Sequence, residues 1–286
     1  MRVLGYFVFF AAFAVPFSLT ADTQVPDAAQ VLAAARQAMG GEKKLAGVQS
    51  FVATGRTRQV RGNNLVPIVF EISCELPDKY VRIDEFPAQD QDPTTSGFNG
   101  NNLIQVPPPS PAAQASASQA RGGGPPAAGP SPVQRRVVTL QQDFARLTLG
   151  MFVASFPGYP LTFKYAAEGD APEGKADVID VAGPANFNAQ LVVQRSTHLP
   201  VMLIWHQAPP AAPQRGRGQP SPGQPSPSPA APVEYRIYYG DFRDVDGMKF
   251  PFRLRRAIAG ETVEETTFDK FRINPKIDAK TFEAVK

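Results

Sequence analysis

Two periodicities divide the chain. Between residues 26 and 39, Ala28, Val31, Leu32, Ala35 and Met39 recur at three- and four-residue spacing, behind Asp27 as a capping residue and ahead of Gly40-Gly41 as a stop. The same spacing returns over residues 134–155 in Val137, Leu140, Phe144, Leu147 and Met151. There Arg135, Gln142, Asp143 and Arg146 fall mostly off the stripe, and Pro157-Gly158 follows as a stop. A short turn of helix at 42–48 would pack Leu45 and Val48. Elsewhere the pattern alternates with period two, as in Ile68, Phe70, Ile72 and Cys74, or in Phe250, Phe252 and Leu254 against Pro251, Arg253 and Arg255. Such alternation predicts strands with one covered face.

The predicted strands are 51–60, 65–76 and 79–86, then a strand or hairpin at 97–106. A second series follows at 161–168, 176–181, 187–195, 201–207, 233–242, 248–259 and 262–273. Turn residues separate them: Arg61-Gly62-Asn63-Asn64, Pro77-Asp78, Gly169-Asp170, Gly183-Pro184, Asp244-Val245-Asp246-Gly247 and Gly260. Tight turns join antiparallel neighbours. The expected class is therefore α+β: one large antiparallel sheet with helices on one face. Asn274-Pro275 closes the last strand, and a terminal segment, 278–282, returns Phe282 to the sheet.

Composition changes this picture in one respect. The chain has 286 residues and 30 prolines; eight of them fall in residues 107–132 and nine in 208–232. These two stretches carry three arginines and no acidic residue, and they read as disordered, polyproline-like insertions into a single domain spanning 22–286 rather than as linkers between two domains. Residues 1–21 read as a signal peptide: Arg2, a short apolar run from Leu4 to Phe17, and small residues before Asp22. The apolar run is too short to span a bilayer, and Pro16 breaks it. A periplasmic or secreted protein is expected, and it is not expected to be transmembrane. With Cys74 as the only cysteine it has no internal disulfide, and the alternation places that thiol on the apolar face of its strand.

The charge, 29 Lys+Arg against 26 Asp+Glu, is too nearly balanced for a nucleic-acid face. Arg121-Gly-Gly-Gly and Arg215-Gly-Arg-Gly are too sparse to act as an RNA-binding segment. His198 and His206, the only histidines, are eight apart, where zinc motifs place them three or four apart. Asp244-Val245-Asp246-Gly247 fails as a calcium loop, because Phe242 and Arg253 would stand where oxygen ligands are needed. No nucleophile elbow or phosphate loop is present in the sequence. No cofactor, no metal and no catalytic residue is expected.

The last 54 residues, from Val233 to Lys286, carry a recognisable order of features. Tyr239-Gly240-Asp241-Phe242-Arg243 leads into Asp244-Val245-Asp246-Gly247-Met248-Lys249-Phe250-Pro251-Phe252. A Thr/Glu strand, Thr262 to Phe268, follows, and then Phe271-Arg272-Ile273-Asn274-Pro275 and Phe282. This resembles the C-terminal half of the outer-membrane lipoprotein-sorting (LolA/LolB-like) superfamily, and the Ala34-Arg36-Ala38-Met39-Gly40-Gly41 helix is similar to the opening of its secreted members. The resemblance implies a half-open barrel whose concave apolar face cradles helices and binds an acyl chain, a lipid or a lipoprotein. It also implies a non-enzymatic carrier or binding protein of the cell envelope. The absence of a lipid-anchoring cysteine departs from the anchored members. On this reading Phe70, Ile72, Leu191, Val193, Leu203, Trp205, Phe250, Phe252 and Leu254 would line the groove; read without the resemblance, the same residues form ordinary core. An alternative keeps the fold as an envelope protein-interaction or sensor module with no lipid ligand.

Overall fold

A computed structural model of the chain describes residues 27–108, 129–208 and 231–283. The signal-peptide reading of residues 1–21 lies outside the described residues, as does most of each proline-rich stretch.

Twelve strands form one antiparallel sheet. They are β1 (Ser50–Arg61), β2 (Asn64–Glu75), β3 (Lys79–Glu85), β4 (Thr94–Asn99), β5 (Asn102–Val106), β6 (Thr162–Ala171), β7 (Gly174–Gly183), β8 (Phe187–Gln194), β9 (Pro200–Gln207), β10 (Val233–Val245), β11 (Met248–Ile258) and β12 (Glu261–Ile273). The helices are α1 (Ala28–Ala38), α2 (Glu42–Ala46) and α3 (Pro132–Phe152), with a 3-10 turn at Ala279–Phe282. The strand order is β5-β4-β3-β2-β1-β12-β11-β10-β9-β8-β7-β6. The two end strands do not pair, so the sheet is a curved, half-open barrel. Helices pack on its concave face, as in the expected α+β class.

Nearly every neighbouring pair is a hairpin, and local turn chemistry sets its register. Asp246 and Gly247 (φ 55° and 76°) form the two-residue β10–β11 turn, with Val245 opposite Met248. Positive φ at both positions is what such a turn needs. The Asp244 carboxylate accepts a hydrogen bond from the Gly247 N–H at 2.9 Å, so the tetrapeptide is a hairpin turn. Two joins are not local. β1 pairs with β12 from Phe51–Ile273 to Gln59–Glu264, bringing together segments more than 200 residues apart. β9 pairs with β10, Gln207 opposite Val233, so the second proline-rich stretch connects strands that are already neighbours.

α3 differs from its expected span of 134–155. It begins at Pro132, inside the stretch assigned to the first proline-rich insertion. Ser131 caps it: its hydroxyl accepts from the Gln134 N–H, and the Gln134 side chain accepts from the Ser131 N–H. It ends at Val153 in the left-handed conformation (φ 50°), before Pro157-Gly158 is reached. Its last two turns, Ala145 to Phe152, are buried on nearly every side; only Leu147 is partly exposed. Arg146, off the apolar stripe by spacing, is therefore inside. It sits over the rings of Trp205 (4.5 Å) and Phe187 (5.3 Å) and pairs with Asp143 at 2.9 Å. A guanidinium can occupy such a place because aromatic faces and one carboxylate offset part of its lost hydration.

One continuous core lies between the concave face and the helices. It joins α1 (Val31, Leu32, Ala35), α3 (Val137, Leu140, Phe144, Leu149, Met151, Phe152) and inward residues of most strands. Each large apolar side chain fully buried there contributes roughly 1.5–3 kcal/mol. Phe282 also packs on the sheet, but on the convex side, against Val81 and Ile104. Cys74 is fully buried, and burial raises its thiol pKa well above the ordinary value.

Candidate functional site

The nine predicted groove residues all point to the concave side. α3 runs across that side and contacts β4 and β5 at one end and β9 and β11 farther along. Under its C-terminal half the face is closed. Leu191, Val193 and Leu203 are almost wholly buried, and Trp205 stacks on Tyr235 at 5.4 Å beneath Arg146. Phe250 stacks on Phe271 at 5.2 Å and meets Phe152 of α3 edge-on; Phe252 also meets Phe271 edge-on at 5.2 Å. Phe70 meets Phe268 edge-on at 5.5 Å. These seven residues are brought together as core.

The other two, Ile72 and Leu254, border a cleft of about 390 Å³ between the side of α3 that carries Arg136, Leu140, Asp143 and Leu147 and strands β1–β4 and β10–β12. This volume lies at the lower end of small-molecule sites. Its apolar lining is Ile72, Tyr80, Ile237, Tyr239, Leu254 and Phe268 from the sheet, with Leu140 and Leu147 from the helix. Its polar lining is Gln59, Arg82, Asp84, Ser96, Arg136, Asp143, Arg256, Glu264 and Thr266.

The polar residues occupy the ends of the inward-facing rows. β1 runs Phe51, Ala53, Gly55, Thr57, Gln59; β11 runs Phe250, Phe252, Leu254, Arg256; β12 runs Phe271, Phe268, Thr266, Glu264 across a bulge; β3 runs Tyr80, Arg82, Asp84. Each row changes from apolar to polar at the same end of the sheet. That change was readable in the sequence, strand by strand. That the polar ends converge follows from the β1–β12 pairing, which no local pattern contains.

The cleft's polar groups are organised. Arg82 Nε donates to Asp84 Oδ1 at 2.7 Å and its Nη2 donates to Thr57 Oγ1 at 3.2 Å; the guanidinium lies 4.4 Å from the Phe70 ring centroid. Burial disfavours the Arg82 charge, but Asp84 beside it, with smaller help from Tyr80 and Glu264, outweighs that, and the pKa ends above its ordinary value. Thr57 and Thr266 share a buried hydrogen bond at 2.9 Å, and Gln59 Nε2 donates to Glu264 at 3.2 Å. Tyr239 Oη donates to the Arg146 carbonyl of α3 at 2.6 Å, and burial pushes the phenol pKa of both Tyr239 and Tyr80 upward. Gly150 allows this contact, since a Cβ there would overlap the Tyr239 ring.

The histidines lie away from the cleft. His198 is in a turn with φ 56°, and His206 stands 4.0 Å from Glu234. Among the described residues no group of three or more His, Cys, Asp or Glu side chains is placed to hold a metal ion, and no helix is long and apolar enough to cross a membrane.

No family model matches the chain, and no curated protein matches it. Solved structures do. A LolA superfamily protein from Nitrosomonas europaea aligns over 91% of this chain and 98% of its own, with a TM-score of 0.51 at 12% identity. A DUF1329 family protein from Desulfovibrio piger covers 90% and 97% (TM-score 0.46, 9% identity). A putative outer membrane lipoprotein-sorting protein domain from Vibrio parahaemolyticus covers 89% and 97% (TM-score 0.48, 8% identity). At these identities the likeness concerns backbone architecture, and in that architecture the chain has the fold of the LolA superfamily.

Proposed function

We propose that this is an exported, non-enzymatic binding or carrier protein of the cell envelope that holds the acyl chain of a lipid or lipoprotein in the cleft beneath α3. The observation that carries this reading is the cleft itself: about 390 Å³ left unfilled beside α3, with apolar walls from both sheet (Ile72, Ile237, Leu254) and helix (Leu140, Leu147) and a set of polar and charged residues alongside them. The fold supports it as an analogy, because the lipoprotein-sorting resemblance of the C-terminal strands implies an acyl-binding concave face. The export reading of residues 1–21 supports a periplasmic or secreted location.

The test is uptake of a fluorescent acyl probe, cis-parinaric acid, by the purified full chain, with native mass spectrometry for co-purifying lipid. Leu147→Glu and Leu254→Glu place charges on the two partly exposed apolar walls without opening the core. Probe uptake by the unaltered protein, lost in these variants while circular dichroism is unchanged, is the expected result. A ligand-free protein that takes up no acyl probe overturns the reading. Substitutions at Trp205 or Phe252 are unsuitable, because a buried carboxylate there would unfold the core.

A further inference from the structure

The cleft's six charged side chains are three arginines and three carboxylates, yet only one pair, Arg82–Asp84, forms among them. Asp84 is engaged by Arg82, Asp143 by Arg146 from behind the helix wall, and Glu264 by the Gln59 amide. Arg82 is committed in turn to Asp84 and Thr57. That leaves Arg136, exposed on α3, and Arg256, partly buried on β11, both lining the cleft. Neither has an ion pair or side-chain hydrogen bond among the described residues. Arg256 lies directly opposite Glu264 in the β11–β12 register, but Glu264 is turned to Gln59 on β1.

A further cation crowds the same corner. Arg146 is 7% exposed, and its Nε has no hydrogen-bond partner. Burial, with Arg256 as an added repulsive charge, lowers its pKa even though Asp143 is beside it. Asp143 is the one carboxylate ion-paired to any of Arg136, Arg146 and Arg256, and with Glu264 opposite Arg256 the corner holds four arginines, counting Arg82, against three carboxylates, an excess of one positive charge. A neutral occupant would leave this excess positive charge as it is, and a cationic one would add to it. An acid group would relieve it, and the forked guanidinium matches the geometry of a carboxylate or phosphate.

We infer that the cleft selects anionic amphiphiles, binding a carboxylate or phosphate head through Arg136 and Arg256 while the chain lies on Ile237, Tyr239 and Leu254. This rests on the binding-protein reading above and adds the chemistry of the head. An alkyl phosphate and a fatty carboxylate share that chemistry, and the two are separated by measurement.

The experiment is calorimetric titration of the full chain with dodecanoate, dodecyl phosphate, dodecanol and inorganic phosphate. Either acid is expected to bind at least roughly tenfold tighter than dodecanol, the size of one or two charge-assisted hydrogen bonds, and the tighter of the two acids names the head. In R256Q and R136Q that preference shrinks toward the dodecanol value, acid binding falling by more than dodecanol binding. Should R256Q fail to fold, R136Q on the exposed helix surface carries the same comparison. Equal binding of dodecanol and both acids, or a preference that survives R136Q and R256Q, overturns the inference and leaves the acyl-binding reading standing. Inorganic phosphate binding as tightly as dodecyl phosphate also overturns it, since the chain would then contribute nothing. Absence of binding by every alkyl probe removes both readings.

Discussion

The concave face has two regions made from the same inward alternation and finished differently. Under the C-terminal half of α3, Leu191, Leu203, Trp205 and Phe250 meet a helix that is buried on almost every side. Beside the helix side that carries Arg136, Leu140, Asp143 and Leu147 the inward rows turn polar, and about 390 Å³ stays unfilled. The difference lies in the helix as much as in the sheet. Where α3 offers Leu149, Met151 and Phe152, side chains interdigitate and exclude a ligand; where it offers Arg136, Asp143 and a partly exposed Leu147, charged groups keep their hydration and the walls stay apart. An apolar row on a strand shows which way it faces, not whether the opposite wall touches it.

The sharpest break between the regions should appear on truncation. Phe250→Ala, in the packed region, is expected to cost about 4 kcal/mol because the cavity it leaves is walled by Phe271 and Phe152 and cannot collapse. Leu254→Ala, four residues farther along the same strand but bordering open space, should cost about 1 kcal/mol. Urea unfolding of both variants measures the contrast, and equal losses would mean that the cleft is closed in solution.

Gly150→Ala tests the boundary between the regions. Alanine favours a helix over glycine by up to about 1 kcal/mol, but here the new methyl meets the Tyr239 ring, and overpacking of this kind costs about 2–3 kcal/mol. A net loss of stability is expected. A net gain would show that α3 can lift away from the sheet.

The smallest effect is that of Tyr239→Phe, about 1 kcal/mol at neutral pH for the lost hydrogen bond to the Arg146 carbonyl. Its pH dependence is more informative. Burial raises the phenol pKa of Tyr239 and Tyr80 above their unfolded value of about 10. The unfolded chain therefore releases these protons first, so the stabilisation is complete below about pH 10 and falls as the pH rises beyond it. Urea midpoints at pH 7 and pH 10.5 should show a shallower alkaline loss in Tyr239→Phe than in the unaltered protein.

Much of the fold could be read in advance because its information is local. Period-two runs separated by Gly, Asn and Asp turns specify hairpins, and eleven strands or hairpin segments were placed within a few residues of their observed ends. The segment 97–106 resolves into β4 and β5 around the Gly100 turn, and β4 begins earlier, at Thr94. The start of α3 was misplaced because proline density masked a capping box at Ser131–Gln134, a signal that was present in the sequence. The candidate site was legible only in part. Ile72 and Leu254 were among the expected lining residues; Arg82, Arg136, Tyr239, Arg256 and Glu264 were not, because each sits on a strand or helix whose partner is distant in the chain.

Periodicity, turn chemistry and cysteine count determined the class, the hairpin order and a core built without disulfides, since each depends on residues within a few positions of one another. Tertiary structure decided three further things: that β1 and β12 join the two series of strands into one sheet, that α3 seals one half of the concave face, and that the polar ends of separate rows meet in a cleft. These depend on contacts between segments tens to hundreds of residues apart, and a pattern of one or two turns carries no record of what will be packed against it.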